Sequence, residues 1–170
     1  MAHKPYPYIG PHNLRRLLEH PAERHLIANP ADLLAWLDRS VARPRRARAQ
    51  TATFIIDTEG QLWIADQRSE HVVCARGQPV LAAGELTAEA TDRQVCVAGV
   101  TNQSTGYCPA PATWAVVSEV LRGIGLEHPE EFTHVYIFRR CASCGMITIV
   151  KDGIYECAVC AAVLDTAIVG

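Results

Sequence analysis

Four of the seven cysteines fall in two pairs near the end of the 170-residue chain, Cys141-x2-Cys144 and Cys157-x2-Cys160, with twelve residues between the pairs. Each Cys-x-x-Cys bends the backbone into a knuckle that aims two sulfurs at one point, and Gly145 suits the tight turn behind the second sulfur. Between the knuckles, "MITIV" and "IYE" alternate around Lys151-Asp152-Gly153, a hairpin signal that brings the two pairs together. Four thiolates in tetrahedral array fit Zn²⁺ and leave no coordination position open for water or substrate. A C-terminal zinc ribbon with a structural metal is therefore expected. Ligand type does not by itself separate zinc from iron in a sulfur site, and one pair taken alone also reads as a thioredoxin-like redox motif. Such a metal would hold a hairpin that is otherwise marginal in water.

Seven cysteines, an odd number, without the apolar core of a signal peptide in "MAHKPYPYIG", argue for metal or free thiols in a reducing compartment and against a disulfide framework. The expected setting is cytoplasmic. With 49% apolar and 20% charged residues the composition is globular, and the length allows one main domain with a small appendage. The net charge of −2 is unevenly spread: residues 1–50 hold nine Lys/Arg against four Asp/Glu, residues 51–170 seven against fourteen. Five arginines, Arg39, Arg43, Arg45, Arg46 and Arg48, lie in "RSVARPRRAR". They read as a solvated linker or as a basic arm for an acidic surface or, with the ribbon, for nucleic acid. No aromatic residue among them offers a base-stacking platform, which favours the linker. The ribbon region is charge-balanced, so nucleic acid is an unlikely partner class and a protein or small molecule is the expected one.

Hydrophobic periodicity supplies the rest of the architecture. "IGPHNLRRLLEH" and "NPADLLAWLDRS" read as helices, the second with Asn29 as cap and Pro30 at its first position. "TATFIID", "QLWIA", "HVVCA", "PVLAAGELTA" and "VCVAGVT" read as five strands separated by turn signals. "PATWAVVSEVLRGIG" places Trp114, Val117, Val120, Leu121 and Ile124 on one helical face, and a strand "THVYIFRR" then enters the ribbon. The expectation is an α+β fold, an antiparallel sheet or small barrel with packed helices. Its expected divisions are an N-terminal helical segment (1–42), a basic linker (43–50), the α+β core (51–138) and the zinc ribbon (139–170).

The stretch "TNQSTGYCP", residues 101–109, holds more hydrogen-bonding side chains than a strand-to-helix connection needs. Together with "SEHVVCARGQPVLAAGEL" it resembles a two-part pattern in uncharacterised bacterial proteins that also end in a Cys-x-x-Cys ribbon after "FRRC". More distantly it resembles the core domain of plant IQ-motif calmodulin-binding proteins. The resemblance spans residues 51–128, or to 160 for the bacterial group. It matches His71 to the family's histidine, Ala82-Ala83-Gly84-Glu85 to its second motif, and Ser104, Tyr107 and Pro109 to its third. Gly106 and Cys108 depart from it, standing where the distant pattern has histidine and arginine. The chain has no IQ helix, so calmodulin binding is not implied, and the resemblance implies no reaction.

From the residues themselves, His71, Glu85, Asn102, Gln103, Ser104, Tyr107 and Cys108 are candidates for one polar site. Two readings follow. In the first, the core is a non-enzymatic module binding a protein or small ligand there. In the second, a hydrolase or transferase uses His71 or Glu85 as base, Asn102 and Tyr107 to orient substrate, and Cys108 as nucleophile, its thiol lowered by the helix start. Convergence of these side chains in one cleft separates the two. Cys74 and Cys96, in apolar segments, are expected to be core thiols.

Overall fold

Apolar runs without alternation, such as Phe54-Ile55-Ile56 and Ala82-Ala83, belong to strands buried on both faces, and all five of these side chains are buried. A computed structural model describes residues 3–20, 22–40, 48–91 and 94–166. Its main sheet has five antiparallel strands, β1 (Arg24–Ile27), β2 (Arg48–Ile56), β3 (Leu62–Asp66), β4 (Ala82–Ala90) and β5 (Val95–Val100), in the order β1-β3-β2-β4-β5. Because side chains alternate along a strand, Ala52, Phe54, Ile56, Leu86 and Ala88 meet one layer, while Ile55 and Ala83 meet the other.

The first layer is built by α1 (Pro30–Ser40) and α3 (Trp114–Ile124), which bring Leu33, Trp36, Leu37, Val117 and Leu121 into the main core. The Asn29 side chain accepts the Asp32 amide at 3.1 Å, and the Asp32 carboxylate accepts the Ala28 and Asn29 amides at 2.9 and 3.2 Å, so the start of α1 is capped from both directions. Gly125, at φ 86°, ends α3 in the left-handed conformation. On the opposite face, α2 (His71–Cys74), Tyr6, Tyr8 and Tyr107 close a smaller core, with a 3-10 helix at His12–Glu19 against α2. Where that cover ends, half-buried Glu85, Thr87 and Glu89 alternate with buried Leu86, Ala88 and Ala90.

The α+β expectation holds, with an open sheet rather than a barrel. Two segments differ. "HVVCA" is the short helix α2, not a strand, since an apolar run of four satisfies either conformation when every residue is buried. Residues 24–27, not expected to be a strand, form β1, held by pairing Leu26 with Trp63 and Ile27 with Leu62. The N-terminal 42 residues are consequently no separate helical segment, because β1 and α1 complete the sheet and its core. Nor does the core begin at residue 51. Arg48, Ala49 and Gln50 already pair with Ala90, Glu89 and Ala88, and Arg48 forms an ion pair with Asp38 of α1. Arg43, Pro44, Arg45 and Arg46 lie outside the described residues. Among the described residues no helix is long and apolar enough to cross a membrane.

The last strands, β6 (Ile137–Arg140) and β7 (Ile147–Val150), pair only with each other as a separate two-stranded ribbon. Asp152 (φ 51°) and Gly153 (φ 72°) turn the chain between Lys151 and Ile154 with the two positive φ values of a type I′ hairpin.

Candidate metal centre

The two Cys-x-x-Cys knuckles repeat one backbone construction. In the first, the Cys141 amide donates to the Met146 carbonyl and the Gly145 amide to the Cys141 carbonyl, both at 2.8 Å. In the second, the Cys157 amide donates to the Ala162 carbonyl and the Ala161 amide to the Cys157 carbonyl, both at 2.9 Å. The residue after each second cysteine is left-handed: Gly145 at φ 73°, Ala161 at φ 59°. Glycine adopts this conformation freely, whereas alanine does so at a cost.

The four Sγ atoms of Cys141, Cys144, Cys157 and Cys160 lie within 4.8 Å of one another. Cys141 and Cys160 sulfurs are 3.6 Å apart, as are those of Cys144 and Cys157. A tetrahedral ion with bonds of about 2.3 Å would separate its sulfurs by about 3.8 Å, so the donor set fits a metal of that kind. The electrostatics agree. The Cys144 amide holds the Cys141 thiol down to about 6. Although the Ala162 amide favours the Cys160 thiolate, its sulfur neighbours and partial desolvation push that thiol up to about 12. Four sulfurs this close do not all ionise unaided, and a dication between them removes the conflict. Among the described residues the ribbon buries only Cys141, Cys157 and Leu164 as its own cluster. Two of these three belong to the sulfur cluster, so little apolar surface is left to hold the hairpin by itself.

The polar stretch is arranged differently. Asn102 is fully buried, and its amide nitrogen donates to the carbonyls of Pro109 (2.9 Å) and Tyr136 (2.8 Å) while its oxygen accepts the Tyr136 amide (2.7 Å). One side chain thus ties the end of β5 both to the entrance of α3 and to the strand leading into the ribbon. Tyr107, also buried, donates its hydroxyl to the Gln78 carbonyl at 2.8 Å and meets the Tyr8 ring edge-on at 5.6 Å. Burial raises its phenol above the ordinary range. The Ile9 amide reaches the Gly106 carbonyl at 2.8 Å, and the Ala110 amide reaches the Tyr6 hydroxyl at 3.3 Å. Residues 101–110 therefore form a strap over the smaller core, anchored to segments at 6–9, 78 and 136.

These contacts correct the expectation of one polar cleft. Asn102, Ser104, Tyr107 and Cys108 are buried, and Asn102 and Tyr107 are paired with backbone. Cys108 donates to the Thr105 carbonyl at 3.3 Å, and burial pushes its thiol up to about 12, opposite to the activation expected from a helix start. Cys74 is buried, as expected, with a thiol likewise at about 12; Cys96 is only half-buried.

His71, Glu85 and Gln103 are half-buried. His71 Nε2 donates to the Gly84 carbonyl at 2.9 Å, and the protein around its ring lowers its pKa. Glu85 accepts from Gln67 Nε2 at 3.3 Å, and the Thr101 hydroxyl oxygen accepts the amides of both Glu85 and Gln103 at 3.2 Å.

The glycine between Ala83 and Glu85 explains why the two motifs belong together. A Cβ on Gly84 would run into the Thr101 carbonyl and lie 3.1 Å from Asn102 Cα, both backbone atoms that cannot swing aside. A glycine inside an apolar strand signals such a close approach of backbone, but the sequence did not name Thr101 as its partner, nor the anchoring Tyr136, nor an apolar groove beside α3. No family model matches the chain, and no curated protein or solved structure matches it either.

Proposed function

We propose that the chain is a zinc-stabilised binding protein of the cytoplasm, in which Cys141, Cys144, Cys157 and Cys160 hold one structural Zn²⁺ and the α+β core engages a protein or small ligand. The observation that carries this reading is the mutual approach of the four sulfurs within 4.8 Å on two matched knuckles. A centre of four protein ligands has no free position, so the ion supplies folding energy and not chemistry. Zinc rather than iron is favoured by the reading of this site as structural, since zinc brings no redox activity.

Ligand contact by the two motifs falls to His71, Glu85 and Gln103, the members that retain partial exposure. The alternative of a hydrolase or transferase has less support: a Cys108 thiol near 12 supplies little thiolate at neutral pH, and the Tyr107 hydroxyl is held by Gln78. Elemental analysis of protein purified without chelator should give about one zinc per chain. Metal retained after Cys144→Ser combined with Cys157→Ser would refute the centre. Catalytic turnover abolished by Glu85→Gln would refute the non-enzymatic reading.

A further inference from the structure

Helix α3 buries Val116, Val117 and Leu121 in the main core, with Val120 and Ile124 partly buried against it. The outer edge of that same apolar face, Val116, Val120 and Ile124, also lines an open groove of about 720 Å³, together with Leu26 of the edge strand β1, Leu62 of β3 and the turn at 58–61. Glu119 and Gly123 fall on this outer edge at helical spacing.

Two independent observations describe what fits there. The first is charge. Among the described residues, the ionisable side chains lining the groove are Glu59, Glu119 and His3, with no lysine or arginine. Arg122, the cation of α3, is turned aside to donate to the Ser118 hydroxyl at 3.1 Å. His3 already places a ring nitrogen 3.4 Å from the Glu119 carboxylate, so the chain itself sets a nitrogen donor at that rim. The second is Gly123. A glycine in a helix costs up to about 1 kcal/mol relative to alanine, less in the last turn where Gly123 stands, yet a Cβ at this position would meet no atom within 4 Å. No neighbour within the described chain requires the missing side chain, whereas a second backbone laid along the groove would.

We propose that this groove receives an amphipathic helical segment of a partner protein, its apolar side against α3 and its Lys or Arg side chains on Glu59 and Glu119. Helix-in-groove recognition lays the apolar face of an amphipathic helix into a hydrophobic trough of this kind. An open trough of this kind does not enclose a small molecule on most sides, as small-molecule sites do. The groove uses none of His71, Glu85, Gln103 or the cysteines, so its failure and that of the preceding reading are separate.

The test is fluorescence anisotropy of a labelled Leu/Lys helical peptide of about 14 residues with the full, zinc-loaded chain. Saturable binding is expected. Gly123→Leu, which fills the groove while favouring the helix, should weaken it at least about tenfold, and so should Glu59→Lys combined with Glu119→Lys. Glu19→Lys, with the same charge change elsewhere, should leave it unaltered. If Gly123→Leu lowers the melting temperature, Glu119→Lys alone carries the comparison. Equal binding of a Leu/Glu peptide, or indifference to the groove variants, overturns the proposal. So does a concentration-dependent dimer in sedimentation that Gly123→Leu abolishes, because a second copy would then be the occupant.

Discussion

The ribbon and the strap at 101–110 both gather hydrogen-bonding side chains, and they turn them in opposite senses. In the ribbon, two local backbone constructions point four sulfurs at a shared centre, where their partners are one another and nearby main-chain amides. In the strap, Asn102 and Tyr107 reach separate main-chain groups, Asn102 at Pro109 and Tyr136 and Tyr107 at Gln78. Convergent donors make a binding centre, whereas divergent donors make a joint. The distinction lies in where the partner is, not in how polar the residues are.

Removing the metal should break the comparison most. Zinc contributes on the order of 10 kcal/mol to structural sites of this type, so chelation, or Cys144→Ser with Cys157→Ser, should abolish amide-exchange protection in β6 and β7 while β2 and β4 keep theirs. Loss of protection in both regions would mean that the strap transmits ribbon unfolding into the sheet through Asn102. Next comes the joint itself. Asn102→Ala strands the Pro109 and Tyr136 main-chain groups and should lower the unfolding free energy by about 3 to 5 kcal/mol in urea titration. Glu85→Gln, at a half-exposed position, should stay within about 1 kcal/mol of wild type. A stability-neutral Asn102→Ala would return that residue to the list of ligand contacts. Tyr107→Phe leaves only the Gln78 carbonyl without its donor, for an expected loss of about 1 to 2 kcal/mol. The smallest effect should be a gain. Ala161→Gly relieves the one left-handed alanine that Gly145 spares in the other knuckle, raising stability by about 1 kcal/mol, read as tighter zinc retention against a competing chelator.

Helices α1 and α3 were legible because apolar stripes, caps and stopping glycines agree along more than ten residues, and β2, β4 and β5 because continuous apolar runs suit a sheet covered twice. His71–Cys74 and Arg24–Ile27 were not, since four residues hold too little periodicity to separate a helical turn from a strand, and only the opposing Trp63 and Leu62 decide the second case. At the site, the four cysteines could be grouped from spacing alone because each knuckle is local. Asn102 could be recognised as unusual but not interpreted, because its partner Tyr136 is 34 residues away and contributes only main-chain atoms, which carry no side-chain signature. Gly84 is a similar case, in that a close approach of two backbones leaves nothing in the sequence except a missing side chain.

The amino-terminal arm meets its partners late. Tyr6 exchanges main-chain hydrogen bonds with Val80 at 2.7 and 3.0 Å, and its hydroxyl receives the Ala110 amide 104 residues further on. During translation this tyrosine must wait for the segment before β4 before its main chain has a partner at Val80, and for the strap before its hydroxyl meets the Ala110 amide. Contacts closing such long loops slow folding. The arm is thus a latch fitted after the frame is assembled. Until it closes, the nascent protein presents Ile55, Ala65 and Ala83 without the cover of Tyr107, an adhesive surface that makes the interval between synthesis of residue 80 and residue 110 a period of exposure to aggregation.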